Sequence, residues 1–329
     1  MDCIKLAHGG GGSKMQNLIN DIFVRNFGNE ILNAMEDAAK LSGNLAFTTD
    51  SFTVKPIFFP GGDIGRLAVC GTVNDLSMRG AKPLYMSSAF IIEEGFPMEE
   101  LDRIAASMAE ALKEANIIIV TGDTKVVEKG SVDKIFINTA GIGVIADGID
   151  ISIKNAKPGD MVIVSGNIGD HGMAVMMARE EFDFKGKILS DIAPLNNLVK
   201  DILALGGDIR VLRDPTRGGV SETLYEIANM SGVGVEIYEE KLPVASGVKG
   251  MCDILGLDYL HLANEGKLIA VVKRESADKA VELMKKNKYG ENAAVIGEIN
   301  DSGLVTIKTA YGTSRILDRP SGELLPRIC

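Results

Sequence analysis

Lys154-Asn155-Ala156-Lys157-Pro158-Gly159-Asp160 is the stretch on which the reading of the fold turns. It is polar and carries a Pro-Gly pair, which ends regular structure. On either side lie apolar runs that read as strands, Ile135 to Ile145 before it and Met161-Val162-Ile163-Val164 after it. The pattern of strands and helices starts afresh at this point. A domain boundary is therefore expected, with an N-terminal domain over 1–154, a C-terminal domain over 155–310 and an extended arm over 311–329.

Upstream, Leu45-Ala46-Phe47 reads as a strand ending in Thr48-Thr49-Asp50-Ser51, and a turn at Pro60-Gly61-Gly62 precedes a helix from Ile64 to Arg79. That helix carries Asn74-Asp75 among apolar neighbours. A mid-helix carboxylate in such company is costly unless it is paired, hydrogen-bonded or metal-bound. Tyr85 to Ile92 is β-like. Pro97-Met98-Glu99-Glu100 opens a second helix, with acids in its first turn and Leu101, Ile104, Ala105, Met108 and Leu112 at helical spacing. Ile117-Ile118-Ile119-Val120 reads as a buried strand running into Thr121-Gly122-Asp123-Thr124-Lys125, and the strand Ile135 to Ile145 is interrupted by Asn138-Thr139-Ala140-Gly141.

Downstream, Ser165 to Gly172 reads as a Gly-rich turn before a helix from Met173, and Asp191 to Leu205 as helical. Ile209-Arg210-Val211-Leu212 leads to a polar corner, Arg213-Asp214-Pro215-Thr216-Arg217-Gly218-Gly219, before a helix from Ser221 to Met230. A capped helix start and a place beside a charged ligand both account for that corner. Strands at 233–238, 268–272, 294–299 and 304–307 alternate irregularly with helices at 246–255 and 276–286, and Leu260 to Lys267 precedes one of the strands. This mixed order argues for an α+β fold with antiparallel pairing over a doubly wound parallel sheet.

Asp50 and Asp123 follow apolar strands and Asp75 sits on the helix between them. Carboxylates from several element ends, among small hydroxyl and glycine residues, suit Mg²⁺ held with water and substrate phosphates. Near the N-terminus, His8-Gly9-Gly10-Gly11-Gly12-Ser13-Lys14-Met15 precedes an amphipathic run from Gln16 to Phe27. It lacks the Gly-Lys-Ser/Thr of a phosphate-binding loop and the third glycine of a dinucleotide fingerprint. A flap over phosphates and a flexible tether explain it equally well.

The net charge of -10 argues against a nucleic-acid or anionic-membrane surface. Cys3, Cys70 and Cys252 are far apart in sequence with no CxxC spacing, which suits reduced thiols and a cytoplasmic protein. No stretch approaches the ~20 apolar residues of a membrane span, and no basic n-region leads an apolar run. The fourth cysteine closes the chain in Leu324-Leu325-Pro326-Arg327-Ile328-Cys329. From Pro320 the backbone can reach about 30 Å, enough to bring this thiol into a cleft.

These motifs together resemble the HypE family of hydrogenase maturation factors. The resemblance runs in order along the whole chain: the His8 Gly-rich loop, Thr49-Asp50-Ser51, Asn74-Asp75, Thr121 to Lys125, Asp214 to Gly219, Asn264-Glu265-Gly266-Lys267 and the final Pro326-Arg327-Ile328-Cys329. The Asp and Gly-rich motifs alone indicate only the wider superfamily of aminoimidazole ribonucleotide synthetase, selenophosphate synthetase and thiamine-monophosphate kinase. The resemblance implies an N-terminal mixed sheet that pairs with that of a second subunit into a barrel, a C-terminal α/β sandwich, a homodimer, and ATP bound near the interface. It also implies the chemistry. Cys329, carbamoylated by the carbamoyltransferase HypF, is dehydrated with ATP and Mg²⁺ to a thiocyanate, and the cyano group passes to iron on a HypC–HypD complex for [NiFe]-hydrogenase.

Mapped onto this chain, the expected catalytic residues are Cys329, Lys125, Glu265 and His8. The expected ATP contacts are Gly10, Gly11, Asp50, Asn74, Asp75, Asp123, Thr139, Asp214, Arg217 and Asn264, with Asp50, Asp75 and Asp123 on the metal. Glu265 is expected to take a nitrogen proton and Lys125 to stabilise the leaving phosphate, or the reverse. His171 and His261 are read as structural. Two rival readings are a small-molecule kinase or synthetase of the same superfamily, and a non-catalytic thiol or iron carrier.

Overall fold

The computed structural model describes residues 3–180, 188–319 and 327–329. From the N-terminus the chain forms α1 (Ser13–Leu18) and α2 (Arg25–Phe27), joined by a π turn over Ile19–Val24. Next come β1 (Ala39–Lys40), β2 (Leu45–Phe52), the short hairpin of β3 (Phe58–Phe59) and β4 (Gly62–Asp63), α3 (Ile64–Met78), β5 (Ala81–Glu93), α4 (Met98–Ala115), β6 (Ile118–Val127) and β7 (Ile135–Ile145). The strands other than the hairpin make one mixed sheet in the order β1-β2-β7-β5-β6. Only β5 and β6 pair in parallel, and α4 is the crossover that parallel pairing requires. Asp63 starts α3 by accepting hydrogen bonds from the backbone N–H groups of Gly65 (2.7 Å) and Arg66 (3.1 Å).

α3 packs on β2, β5 and β7, and α4 packs on α3. No helix among the described residues covers the opposite face. There Leu45 and Phe47 of β2, Ile142 and Val144 of β7, Tyr85 and Ile91 of β5 and Ile118 of β6 are exposed. They are mutual neighbours, since Phe47 and Tyr85 both stand opposite Ile142 and Ile118 stands opposite Tyr85.

The second sheet is built from β8 (Met161–Val164), β9 (Ile209–Arg213), β10 (Gly234–Tyr238), β11 (Ile269–Val272), β12 (Ala294–Asn300), β13 (Val305–Lys308) and β14 (Ser314–Ile316), in the order β14-β13-β10-β12-β8-β11-β9. Its pairings are antiparallel except β10 with β13. The helices are α5 (Asp170–Glu180), α6 (Asn196–Ile202), α7 (Gly219–Ser231), α8 (Ser246–Leu255) and α9 (Ala277–Lys285). Side chains alternate between two cores. Val162 and Val164 join Leu224 and Ile227 of α7 on one face, while Ile163 joins Leu198 of α6 and Met284 of α9 on the other.

The α+β reading and the mixed sheets hold. Three expectations are corrected. Ile117–Val120 is not a buried strand, because β6 is the edge of its sheet and its residues from Ile118 to Val126 are exposed in the single chain. The helix expected from Asp191 begins only at Asn196, since the ring of Pro194 disfavours helical backbone in the residue before it. The stretch expected as an arm from 311 contributes β14 and the fully buried Leu317, whose N–H donates to the Val305 carbonyl at 2.9 Å. Its residues 320–326 lie outside the described residues. The first sheet is open, and among the described residues no closed barrel exists within one chain.

Gly65 sits where α3 crosses α4, and a Cβ placed on it meets the Ile104 carbonyl oxygen at 2.6 Å. Overpacking of this kind costs about 1–3 kcal/mol, more than the ~1 kcal/mol that alanine gains over glycine inside a helix. Gly65→Ala is therefore expected to lower the urea midpoint. A midpoint unchanged or raised would show that the two helices separate at no cost.

Candidate active site

The two sheets meet over a polar cleft of about 270 Å³, lined from the first by Asp37, Thr48, Asp50 and Asp75 and from the second by Arg213, Asp214, Arg217, Glu226 and Glu265. β2 delivers Thr48 and Asp50 on its helix-facing side, α3 delivers Asp75, and the corner between β9 and α7 delivers Arg213, Asp214 and Arg217. Arg213 forms an ion pair with Asp37 Oδ1 at 2.6 Å and donates from Nη2 to Glu226 Oε2 at 2.5 Å, tying the two halves together. The Thr48 hydroxyl donates to Asp75 Oδ2 at 2.7 Å.

Asp37, Asp75 and Asp214 each offer a carboxylate oxygen, and these oxygens lie within 4.8 Å of one another. Burial raises all three carboxyls above their ordinary range. For Asp75 the carboxylates of Asp214, Asp50 and Asp37 add to the rise, well above 3.8. For Asp214 the Arg213 guanidinium opposes it and leaves the group at about 6. Asp37 Oδ2 is buried with no hydrogen-bond partner among the described residues. An all-oxygen set with a spare buried oxygen and surplus negative charge is the donor chemistry of a hard divalent cation, so the residues fit Mg²⁺.

Glu265 stands at the other side of the cleft, 3% exposed, with Oε1 buried and without a hydrogen-bond partner among the described residues. Burial, then Asp214, Asp191 and Asp50, raise its carboxyl well above 4.5 against the opposing pull of Arg217. Its loop is fixed from below. The Asn74 amide donates to the carbonyls of Glu265 (3.2 Å) and Ala193 (3.1 Å) and accepts from Leu195 N–H (2.8 Å), while Glu265 N–H donates to Asp191 Oδ1 (3.0 Å). The Gly-rich loop closes the cleft against the Arg217 corner. Gly11 has φ +85° and comes so near that a Cβ there would sit 2.8 Å from the Arg217 carbonyl oxygen.

The end of the chain lies in the same cleft. Thr53 N–H donates to Cys329 O at 2.9 Å and Lys55 N–H to Arg327 O at 3.1 Å, so the tail runs antiparallel to residues 53–55. Arg327 donates from Nε to Thr53 O (2.6 Å) and from Nη1 to Asp133 Oδ2 (2.6 Å), with its guanidinium carbon 5.4 Å from the Phe136 ring centre. Ile328 is buried in the first core, and its carbonyl accepts from His171 Nε2 at 2.9 Å. That bond fixes the imidazole as the Nε2–H tautomer, with Nδ1 accepting from the Ser190 hydroxyl at 2.8 Å. Cys329 then lines the cleft beside Arg217, and its electrostatic pull, ahead of those of Asp50, Glu265 and Asp75, raises the guanidinium's pKa.

Of the expected site residues, Gly11, Asp50, Asp75, Asp214, Arg217, Glu265 and Cys329 come together here. The others do not line the cleft. Asp123 and Lys125 are on the edge strand β6, 2.7 Å apart and exposed, facing the uncovered side of the sheet with Ile91 opposite Lys125. Within one chain Asp123 is thus no partner of Asp75, and Asp37 takes its place in the cluster. Thr139 is fully buried under the sheet, bonded to the Thr72 hydroxyl. Asn264 is fully buried and spent on Gly169 N–H and the carbonyls of Pro215 and Leu262. His8 hydrogen-bonds to Lys5 and lies outside the cleft, as does Gly10. Asp37 and Arg213 are site residues that the sequence does not reveal. Asp37 follows Glu36 with no motif around it, though Arg213 adjoins Asp214 at the corner. His171, read as structural, holds the tail.

Comparison with known proteins places this geometry. The N-terminal domain model of AIR synthase related proteins matches residues 35–145 and the C-terminal domain model matches 157–309. Carbamoyl dehydratase HypE of Rhizobium leguminosarum bv. viciae is 52% identical over 332 residues, 99% of this chain and 95% of that one. A HypE–HypF complex contains a chain 67% identical, with a TM-score of 0.91 over 92% of this chain and 99% of that one. HypE in complex with ATP is 47% identical, with a TM-score of 0.84 over 99% of this chain and 100% of that one.

Removing one oxygen donor from the cluster is expected to weaken divalent-cation binding. Asp37→Asn should lower the affinity for Mn²⁺, measured by the loss of the free-ion paramagnetic signal, at least on the order of tenfold. An unchanged affinity would remove Asp37 from the ligand set.

Proposed function

The chain belongs to the carbamoyl dehydratase HypE family, and we propose that it uses ATP to dehydrate an S-carbamoyl group on its own Cys329 to a thiocyanate. The product supplies cyanide ligands for the iron of [NiFe]-hydrogenase. The observation that carries this reading is the position of Cys329, docked in one cleft with Arg217, Glu265 and the carboxylate cluster. A small-molecule kinase of the same fold has no use for a thiol of its own at that point.

The carbamoyl oxygen is a poor leaving group until it is phosphorylated, and ATP supplies that phosphoryl group. Asp37, Asp75 and Asp214, with Asp50 beside them, would hold Mg²⁺, which when bound would supply countercharge to the phosphates. The chain's own residues do the rest. Arg217 faces both Cys329 and the acids, so it neutralises charge that develops next to the sulfur-bound carbon. One nitrogen proton leaves as the carbamoyl oxygen is phosphorylated, giving a C=N–H group, and Glu265 takes the second as the phosphorylated oxygen departs. Burial makes it a stronger base than an ordinary carboxylate once ionised, and keeps it dry. Gly11 and its loop close over the Arg217 corner and exclude water.

Lys125 and Asp123 act, in this reading, on the cleft of a second copy. The uncovered face carrying Phe47, Tyr85, Ile118 and Ile142 is a contiguous apolar surface of the kind that pairs with another chain, and pairing there as a barrel carries both residues out of their own chain's surroundings. HypF is the carbamoyl donor and a HypC–HypD complex the acceptor. No disulfide joins the described cysteines, in keeping with a cytoplasmic setting.

The test is the mass of the C-terminal peptide after incubation with carbamoyl phosphate, HypF, ATP and Mg²⁺. Carbamoylated Cys329 should lose one water only when the ATP is hydrolysable, and an unmodified Cys329 with ATP still consumed would favour a small-molecule substrate. Glu265→Gln should bind ATP and accept the carbamoyl group yet dehydrate it about 10²-fold or more slowly. The acceptor must be unprotonated and its pKa is raised, so the wild-type rate should climb with pH above the usual carboxylate range and fall as pH drops through it. A flat profile would assign the proton to another group.

A further inference from the structure

We infer that the cleft is a sequence-reading peptide site, which recognises Arg-Ile-Cys as a motif and accepts it in trans from another molecule as well as from its own chain. The inference rests on the proposed function only for what happens to the cysteine afterwards. Recognition itself is legible in the contacts.

Each of the three tail residues has a separate receptor. The Arg327 guanidinium is held at three points that differ in chemistry, the Asp133 carboxylate, the Thr53 carbonyl and the Phe136 ring face. A charged planar fork is the side chain that satisfies all three, so the subsite discriminates arginine from lysine. Ile328 enters the first core at 6% exposure, among residues that include Val54, Phe59, Val175 and Ile192. A polar residue there would be desolvated with no partner offered by those side chains. One oxygen of the Cys329 carboxylate accepts from the Thr53 N–H and, at 3.2 Å, from the Thr53 hydroxyl, which sets how far the sulfur reaches toward Arg217.

The backbone is read as well. Thr53 N–H donates to a carboxylate oxygen of residue 329 and Lys55 N–H to the carbonyl of 327, His171 donates to the carbonyl of 328, and Arg179 Nη2 donates to that of 327 at 3.2 Å. The residues that hold the tail's backbone and side chains come from the 53–55 segment, β7, the loop before it and α5, which are far from the tail in sequence. Nothing in the set requires the ligand to be covalently joined to the receptor. This is strand addition with side-chain pockets, the mode by which folded domains bind extended peptides. The chemical class of ligand is an extended peptide ending in Arg-Ile-Cys, including the tail of a second copy.

The chain's own tail competes for the site at an effective concentration of about millimolar order for a short tether. A full-length chain whose own tail is weakened should therefore reveal the site. The probe is fluorescein-labelled Leu-Leu-Pro-Arg-Ile-Cys with its sulfur methylated, and the readout is fluorescence anisotropy without ATP. Arg327→Ala protein should bind the probe about tenfold or more tightly than wild type does, and probes with Ala for Arg or Ser for Ile should bind it about tenfold or more weakly. Asp133→Asn added to Arg327→Ala should reduce probe binding by a similar factor. Equal affinity for all three probes, or no saturable binding by Arg327→Ala, would overturn the inference. Arg327→Lys provides the same comparison with less perturbation of the fold, and the same equalities would overturn it. With the probe S-carbamoylated and ATP present, binding without loss of water would count against the dehydratase reading and leave the recognition standing.

Discussion

Arg213 is the contact on which the rest of the site depends. It lies at the end of β9, in the second sheet, and forms ion pairs at once with Asp37 before the first sheet and with Glu226 on α7. Around it the fold gathers the carboxyls of Asp37, Asp50, Asp75, Asp214, Glu226 and Glu265, against the two guanidiniums of Arg213 and Arg217, while Glu222 in the same lining is matched by Arg319. Six acids against two bases in a desolvated space cannot all be charged without further countercharge. Burial first, and the neighbouring carboxylates after it, raise the carboxyls of Asp75, Asp214 and Glu265. A cation with a polyphosphate, or protons, must complete the charge balance. The cleft is thereby selective for ligands that bring positive charge with them, and the acids cost stability until such a ligand arrives.

Part of this is legible in the sequence, for physical reasons that can be named. Asp75 stands out because an apolar helix does not tolerate a lone carboxylate. Asp214 and Arg217 stand out because they share a Gly-rich corner before a helix, and helix starts present unsatisfied N–H groups. Asp37 is invisible because its role arises from a pairing across 176 positions with Arg213, and no local pattern records such a pairing. Thr139 and Asn264 show the opposite failure. They sit in motif-like surroundings, yet both are consumed by internal hydrogen bonds, Thr139 between β7 and α3 and Asn264 between three loops.

The strand Ile118–Val127 is more instructive. An apolar run of β-branched residues reads as buried, and composition is right that this surface is unsuited to water. Composition is silent on whether the covering surface belongs to the same chain. β6 is an edge strand, and among the described residues no helix lies over the face it shares with Tyr85 and Phe47. The same strand carries Asp123 and Lys125, whose charges point off that face. Residues that look catalytic in the sequence, and a surface that looks buried, are displaced together and to the same place, so a single interface would account for both.

The tail sets a further constraint, because a thiol that is to be loaded elsewhere and processed here must be held neither too loosely nor too tightly. Burying Ile328 contributes about 1.5–3 kcal/mol. The Arg327–Asp133 pair is 26% and 37% exposed at its two side chains, so its ionic part is worth only about 0–1 kcal/mol. The hydrogen bonds from Thr53, Lys55, His171 and Arg179 and from Arg327 to Thr53 add about 1 kcal/mol each net. Against this, fixing three residues costs roughly 1–2 kcal/mol apiece in backbone freedom. The balance is a few kcal/mol in favour of docking. Every contributor is small and none is a buried ion pair, so the tail can withdraw step by step without breaking the core. A single strong anchor would have held the cysteine better and denied it to any partner.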